Sequence, residues 1–308
     1  MAKQFKNIDE QIDILKEKGL IINDVEYAKK VLLRENYFFL SGYKAILYYS
    51  KKDRRFIKGT TFEEFYSIFL FDRNFRNILF KNLVIIENSI KSIFSYRLSS
   101  RYGIKEEEYL KAKNFSEEPS RSKQINDLLR KMKRQIRVNT KQHNATLHFS
   151  NNHGYIPFWV LVKVLSFGIV SELYAILKLE DKLAIAVHFD LDVGNLENYL
   201  PILANYRNLC AHEDILYNNK TQREIADTKY HRLLDIPLTN EEYIYGKNDI
   251  LAVVIILKSM LLPEQFDKMM YDFKEEIKLL DHNVDTISMD KLFDEMGIPK
   301  NFWKIKDL

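Results

Sequence analysis

The sequence predicts an all-α fold, and three observations support this class. The chain has only 9 glycines and 6 prolines in 308 residues, whereas a β-rich chain of this length needs many more turn residues. Residues 62–101 contain neither Gly nor Pro, and apolar residues recur there at helical spacing. The chain also has 20 phenylalanines and 18 tyrosines, and so many large rings predict thick packing between helices.

The first sixty residues predict two short helices followed by irregular chain. Amphipathic patterns cover residues 7–18 and 24–35, and Asn23 or Asp24 is expected to cap the second helix. An aromatic stretch at 36–44 and a basic loop at 51–55 come next. Rings of this kind can stack on nucleobases, but we assign the six of this region to the core: Tyr37, Phe38, Phe39, Tyr43, Tyr48 and Tyr49.

The centre of the chain predicts a long helix, or two in succession, that starts at the capping box of Thr61 and Glu64 and ends at Gly103. Gly168 is expected to let another backbone approach closely. The remaining segments, in order, are a basic helix at 121–139, a loop at 140–156, helices at 158–177, 181–189 and 198–213, helices at 249–262 and 264–280 separated by Pro263, and a compact tail.

Composition narrows the class of protein. The single cysteine, Cys210, excludes an internal disulfide and a cysteine-based zinc site, and it suits a reducing cytoplasm. The first six residues lack the apolar region of a signal peptide. The longest apolar run, at 250–257, is too short to span a bilayer. We therefore expect a cytoplasmic protein that does not contact a membrane.

No metal and no cofactor are expected. His143, His148 and His153 recur every five residues, but on a helix they point in three directions, and no acidic ligand lies between them. The chain also lacks a Gly-rich phosphate loop and the GxSxG and HExxH motifs. Nucleotide hydrolysis and protease chemistry therefore have no support in the sequence.

Positive charge is concentrated in one segment. The chain carries a net +4, whereas residues 121–141 carry eight basic residues and one acid, a net +7, which leaves −3 for the rest. This one-signed excess predicts contact with the phosphate backbone of RNA, with a merely solvated helix face as the alternative. The basic residues are Arg121, Lys123, Arg130, Lys131, Lys133, Arg134, Arg137 and Lys141.

Arg207 and His212 are the best candidates for chemistry. They begin and end the run RNLCAH on a predicted helix, about 140° apart around its axis. An arginine binds phosphate through a rigid fork of donors, and a histidine moves protons near neutral pH, so the pair suits metal-free chemistry at a phosphodiester. Between them, Ala204, Asn208 and Ala211 predict a polar face with a small-residue floor.

The spacing of this pair is not specific by itself. With 14 Arg and 7 His in 308 residues, an arginine followed by a histidine after four to six intervening residues is expected about once by chance. Arg137 and His143 form a second match, which we regard as accidental because it runs from the basic helix into the predicted loop.

Several segments beyond this pair resemble one protein family. They occur in order between residues 36 and 303 and include NYFFLSGY at 36–43, residues 86–101, PFWVLVKVLSFGIVSELY at 157–174, RNLCAH followed by EDILYN at 207–218, and MGIPKNFW at 296–303. Together they are similar to HEPN-fold proteins of the bacterial abortive-infection Abi type, the AbiD/AbiF group.

The resemblance implies a HEPN-like helical bundle with additional helices, whose R-x4–6-H motif cleaves RNA without a metal. Carried onto this chain, Arg207 contacts the scissile phosphate, His212 acts as general base or acid, and Asn208 stands where the motif prefers a polar residue. In this family the active site is usually composite, so a chain with one motif is expected to act as a homodimer.

The sequence also suggests two possible roles for Glu87 and a division of the chain into three parts. Glu87 either orients Arg207 without contacting the substrate itself or forms an ordinary surface pair with Lys91, four residues on. We expect an N-terminal helical segment at 1–60, a HEPN-like core at 61–281 with a basic insertion at about 104–156, and a tail at 282–308 packed on the core.

Three functions follow from these features. The first is a phage-defence effector, a HEPN ribonuclease that cuts RNA through its 2′-OH under the control of a bound RNA or an antitoxin. The alternative is a non-catalytic HEPN protein that binds or holds a structured noncoding RNA. The third is that this chain is the target of a partner enzyme that modifies the HEPN helix, and Tyr217, five residues after His212, is the candidate residue.

Overall fold

The computed structural model describes residues 4–50 and 52–308, so Lys51 of the expected basic loop and the first three residues lie outside the described residues. It confirms the all-α class: helices carry the fold, and one two-stranded hairpin is the only sheet in those two ranges. The α-helices, in chain order, are α1 (Ile8–Glu17), α2 (Val25–Glu35), α3 (Tyr37–Ser41), α4 (Phe62–Tyr102), α5 (Glu106–Tyr109), α6 (Ser122–Asn139), α7 (Asn144–His153), α8 (Phe158–Leu161), α9 (Phe167–Ile176), α10 (Leu179–Ala186), α11 (Val193–Ala211), α12 (Lys229–Leu233), α13 (Ile250–Met260), α14 (Pro263–Asn283) and α15 (Met289–Met296). The 3-10 helices are Gly42–Leu47, Ala112–Asn114, Pro119–Arg121, Val162–Val164, Val187–Phe189 and Phe302–Lys306, and the hairpin strands are β1 (Leu238–Thr239) and β2 (Glu242–Tyr243).

The long helix α4 organises the fold. It runs unbroken for 41 residues, which settles the choice between one helix and two. The capping box is confirmed: Thr61 Oγ1 accepts from Glu64 N at 3.2 Å, and Thr61 N donates to Glu64 Oε2 at 2.9 Å. Gly103 ends the helix with a φ of 92°, a conformation that favours glycine.

Several other helices pack around α4. Helices α8, α10, α11, α13 and α14 all contact it. The rings of Phe75 on α4 and Phe273 on α14 stack with centroids 4.3 Å apart. The tail is tied back to the start of α4, because Glu64 Oε1 accepts from Asp285 N at 2.7 Å and from Thr286 N at 2.9 Å. The division at residues 60 and 281 stays a prediction.

The loop predicted at 140–156 is wrong. Helix α7 occupies its centre and ends at Gly154, whose φ of 74° is left-handed. Thr146 is fully buried, and its Oγ1 donates to Asn139 O at 2.6 Å, which ties α7 to the end of α6. Phe149 also packs against the core. These tertiary contacts outweigh the low helix propensity of the Asn and His residues in the segment.

The single helix predicted at 158–177 is also wrong. Helix α8 ends at Leu161, and Ser166 caps a new helix, α9, with its Oγ accepting from Ile169 N at 3.3 Å. Serine favours such a cap over a helix interior. The expectation for Gly168 fails as well: among the described residues, the nearest atom to a Cβ built there is Ser166 Oγ at 3.9 Å.

The assignment of six rings to the core holds only in part. Tyr43 and Tyr48 are buried, whereas Phe38 is 74% exposed and Phe39 55% exposed, and Tyr49 is exposed too. Tyr37 is half-buried. The assignment is wrong for the three exposed rings: Phe38 and Phe39 lie on the outward face of the short helix α3, and Tyr49 lies in the chain that follows the 3-10 helix. Within residues 4–50 and 52–308, we find no helix both long and apolar enough to cross a bilayer.

Candidate functional site

The RNLCAH run lies at the end of helix α11. The helix starts five residues earlier than predicted and stops at Ala211, so His212 is the residue that follows its last turn. The His212 N–H still donates to Asn208 O at 3.0 Å. Asn208, Ala211 and His212 are exposed, and Arg207 is half-buried. Ala204 is buried, which corrects the expected small-residue floor at that position.

Arg207 is held in place by a buried carboxylate of helix α4. Its Nε donates to Glu87 Oε2 at 3.0 Å, and the other oxygen of Glu87 accepts from Lys91 Nζ at 2.7 Å. Only 5% of the Glu87 side chain is exposed. The ring of Phe80 lies 5.6 Å from the guanidinium carbon. Glu87 thus makes both of the contacts considered from the sequence.

The two terminal nitrogens of Arg207 remain available. No hydrogen bond joins its Nη1 or Nη2 to any other part of the described chain. A guanidinium fixed through Nε, with both Nη atoms open, presents a two-pronged donor to a phosphate or a carboxylate. His212 comes five residues after Arg207, directly behind the last turn of α11, so its backbone lies about 7.5 Å further along the helix axis.

A buried network fixes the chain directly after His212. Asp72 and Arg76 of α4 form an ion pair that is almost fully buried, and Tyr43 joins it. Asp72 Oδ2 accepts from Tyr43 Oη at 2.6 Å, and Arg76 Nη1 donates to Tyr43 Oη at 2.8 Å. Asp72 also accepts from Leu216 N at 3.0 Å and from Tyr217 N at 2.7 Å. The segment after the motif is therefore anchored to α4 through its backbone.

Sequence reasoning missed this network. Asp72 and Arg76 stand four apart on a face of α4 that is otherwise aromatic and aliphatic, and that placement was the available signal. Desolvation raises the pKa of the Asp72 carboxyl, against the opposing influence of Arg76 and the three hydrogen bonds from Tyr43 and the backbone. Burial raises the pKa of Tyr43 as well, so its hydroxyl stays protonated and donates to Asp72.

An open cavity of about 730 Å³ adjoins His212. One wall comes from Phe38, Phe39 and the start of the 3-10 helix after α3, and the other from residues 211–215. The two walls meet closely at Gly42, because a Cβ built there would collide with Ile215 Cδ1 unless the Ile215 side chain moved. The cavity therefore joins the aromatic stretch to the RNLCAH run, which are far apart in sequence.

The basic residues of the 121–141 segment divide into two groups. Arg121 is engaged within the fold: it donates to Ala175 O and lies 3.1 Å from Glu118 and 3.4 Å from Glu197. Lys131 pairs with Glu172, and Arg130 with Asp127. The others are exposed and have no ionic partner within the described ranges: Lys123, Lys133, Arg134, Arg137 and Lys141.

Four of these exposed cations lie along helix α6, and Lys141 follows its end. Arg134 and Arg137 line a groove of about 1200 Å³ together with Lys133 and Arg130. Leu128, Leu129 and Met132, on the opposite face of the helix, are buried. The amphipathic pattern thus buries one face of α6 and displays its positive charge on the other.

Metal ligands do not cluster in the described parts of the chain, where no three His, Cys, Asp or Glu side chains are placed to hold one ion. His143 precedes α7 and His148 and His153 lie within it, with the latter two rings 6.1 Å apart. Cys210 is a free, buried cysteine on α11.

The fold and this site together define a class: a helical protein with a half-buried arginine and an exposed histidine at the end of one helix. Residues 30–218, more than half of the chain, match the model of the family of Abi-like proteins. The chain therefore belongs to the Abi-like family, as the resemblance seen in the sequence implied. Membership in this family indicates a role in abortive infection, a form of phage defence. No curated protein and no solved structure matches the chain.

Proposed function

We propose that this chain is an abortive-infection effector that cleaves RNA through a HEPN-type site formed by Arg207, Asn208 and His212. The observation that carries the proposal is the state of Arg207: a buried carboxylate fixes its Nε, and both of its Nη atoms are open. The exposed His212 follows at the end of the same helix. A fixed cation beside a proton-transfer group is the minimum that cleavage of a phosphodiester requires.

The reaction needs no metal, because RNA carries its own nucleophile. The ribose 2′-oxygen attacks phosphorus, the bond from phosphorus to the 5′-oxygen breaks, and the products are a 2′,3′-cyclic phosphate and a 5′-hydroxyl. One proton leaves the 2′-OH and one reaches the departing 5′-oxygen. His212 accepts the first or donates the second, while Arg207 neutralises the charge that builds up on the phosphoryl oxygens.

A single copy offers one histidine for two proton transfers. A homodimer that brings two RNLCAH runs together supplies a second His212 and a second Arg207 to the same phosphate. The exposed side chains of Asn208 and Ala211 leave this end of α11 open to such an approach. We therefore propose that the active form is a dimer.

The five unpaired cations of the 121–141 segment form a second part of the proposal. They bind the RNA backbone away from the reacting bond, and a structured RNA held there is the control that we favour for a ribonuclease that would otherwise harm its host. If the purified protein carries no nucleic acid and its RNA affinity does not depend on salt, this part of the proposal fails.

Matched variants test the cleavage. Arg207→Ala and His212→Ala should each reduce cleavage of a single-stranded RNA by about 100-fold or more while leaving RNA affinity nearly unchanged. Lys133→Ala with Arg134→Ala should weaken binding first and lower the slope of log affinity against log salt by about one to two. The same RNA with 2′-deoxyribose should not be cut, and a chelator should have no effect. Full activity of the Arg207 and His212 variants would refute the assignment.

The second candidate function is a non-catalytic RNA-binding scaffold. It is favoured by the groove of α6, whose cations are separate from Arg207 and His212 in the structure. In that case the wild-type protein binds RNA with a strong salt dependence but yields no 2′,3′-cyclic phosphate at any protein concentration. Detection of that end group in wild type, and its loss in His212→Ala, distinguishes the two functions.

A further inference from the structure

Two aromatic rings beside His212 are exposed without an evident structural reason. Phe38 is 74% exposed and Phe39 55%, and their centroids lie 6.1 Å apart in an edge-to-face arrangement. The turn that presents them is held firmly: the Asn36 side chain accepts from Phe38 N at 2.9 Å, and Ser41 Oγ donates to Phe38 O at 2.8 Å. Apolar rings left in water next to a cavity indicate a binding surface.

The opposite wall of the cavity is polar and acidic. His212, Glu213 and Asp214 all line it. No hydrogen bond joins either carboxylate to another described residue, and the nearest cation to Glu213 is Arg73 Nη2, at 3.9 Å. Arg73 itself is engaged by Glu35, at 3.1 Å and 2.5 Å. The carboxylates are thus free to accept hydrogen bonds from a ligand.

The acidic wall of the cavity is also held in place by buried side chains. Asp72 and Arg76 anchor the backbone from Asp214 to Tyr217, and Tyr43 connects that anchor to the wall that carries the two rings. The volume of about 730 Å³ lies within the range of about 300–1,000 Å³ that is typical of small-molecule sites. A preformed cavity of this kind binds a ligand at a lower cost in ordering.

The chemistry of the two walls selects the ligand. A phosphate is repelled by two free carboxylates, so the RNA backbone does not enter. A nucleobase satisfies both walls, because its face stacks on a phenyl ring and its edge donates N–H groups to a carboxylate. Among the four bases, guanine has two adjacent N–H donors, N1–H and the N2 amino group, which match the two oxygens of one carboxylate.

We propose that this cavity binds an unpaired guanine of the RNA, with Phe38 and Phe39 as the stacking surface and Glu213 and Asp214 as the acceptors. Because His212 lines the same cavity, the bound guanosine supplies the 2′-OH, and cleavage follows guanine. The inference rests on the proposed function for the position of the cut, whereas the binding of the base can be tested by itself.

The first experiment measures binding without catalysis. The full-length protein is titrated with the 3′-monophosphates of guanosine, adenosine, cytidine and uridine. The guanosine compound should bind most tightly, and Phe38→Ala and Phe39→Ala should each weaken it by about 5- to 100-fold. Tyr271→Ala is the matched control, since Tyr271 is a ring of similar exposure, 58%, that does not line the cavity. It should bind as wild type does.

The carboxylates have their own test. Glu213→Gln and Asp214→Asn keep the size of the side chain but add a donor, so the preference for the guanosine compound over the adenosine compound should fall by at least about fivefold. Equal binding of the four monophosphates by wild type, or an unchanged preference in the double variant, would overturn the proposal.

Mapping of cleavage sites separates this inference from the proposed function. On a single-stranded RNA that contains all four bases, wild type should cut after guanine, and Phe38→Ala should lose that preference. Cuts without base preference overturn the guanine site and leave the ribonuclease intact. Full activity in His212→Ala overturns the ribonuclease, and the monophosphate titrations still decide the site. If Phe38→Ala converts a dimer into a monomer by light scattering, the rings are a contact between copies, and the proposal is wrong.

Discussion

The buried pair of Asp72 and Arg76 yields the sharpest stability prediction. Asp72→Ala removes the one carboxylate that pairs with Arg76 among the described residues, and the side chain of Arg76 is 2% exposed. Breaking a buried ion pair by deleting one partner costs about 3–5 kcal/mol, because the remaining charge stays buried without compensation. The backbone N–H groups of Leu216 and Tyr217 lose their acceptor as well. We therefore expect the upper part of that range.

Tyr43→Phe is the graded version of this perturbation. It deletes one hydroxyl, which donates to Asp72 and accepts from Arg76, while the ion pair itself remains. Because Asp72 and Arg76 still satisfy each other when the hydroxyl is gone, its loss should cost about 1.5–3 kcal/mol, the range for one hydrogen bond to a charged group, which is roughly half of the loss expected in Asp72→Ala.

Urea unfolding followed by circular dichroism measures both effects. Asp272→Ala is the control, since Asp272 and Lys268 are also four apart on a helix but are 30% and 59% exposed. Its cost should be about 0.5 kcal/mol or less. A loss below about 1 kcal/mol in Asp72→Ala, or equal losses in Asp72→Ala and Asp272→Ala, would refute the claim that this network anchors the segment after His212.

Three further predictions concern single residues. Glu87→Gln should lower kcat for RNA cleavage by about 10- to 100-fold with little change in KM, because Arg207 loses a charged partner and its fixed orientation; an unchanged kcat would show that Glu87 does not position it. Burial raises the pKa of Asp249 to about 6, above its ordinary value near 4, so the folded protein holds the proton of this carboxyl more tightly than the unfolded chain does. The stability that comes from this difference is fully present below about pH 4 and is lost as the pH rises to about 6. Unfolding free energies of wild type should therefore fall by up to about 3 kcal/mol relative to Asp249→Asn across that interval, and parallel pH profiles would contradict this. Burial raises the pKa of Cys210 to about 12, so a thiol reagent at pH 8 should label the native protein more than about 100-fold more slowly than the protein in urea; comparable rates would place the thiol at the surface.

Local signals in the sequence were reliable where a few neighbouring residues decide the structure. Asp24 caps α2 by accepting from Tyr27 N at 2.8 Å, and Thr61 and Glu64 form the capping box, both as expected. The expected break between two helices at Pro263 is present too, with Pro263 as the first residue of α14. One failure came where tertiary contacts outweigh local preference: the buried Thr146 stabilises a helix in a segment that reads as a loop. The other is local, since Ser166 caps α9 within a run of apolar residues that reads as one helix.

The amino-acid sequence by itself determined the all-α class, the long central helix, the basic helix and the arginine–histidine run, because helical periodicity and capping act within a few residues. It also carried the resemblance to Abi proteins, and the match of residues 30–218 to the Abi-like family confirms that part of the resemblance. The surroundings of the site depended on the packed fold. Glu87 reaches Arg207 across 120 residues, and Asp72 reaches Leu216 across 144. No local pattern encodes such pairs, since they form only after α4 and α11 pack together, and the same packing sets Phe38 and Phe39 beside His212.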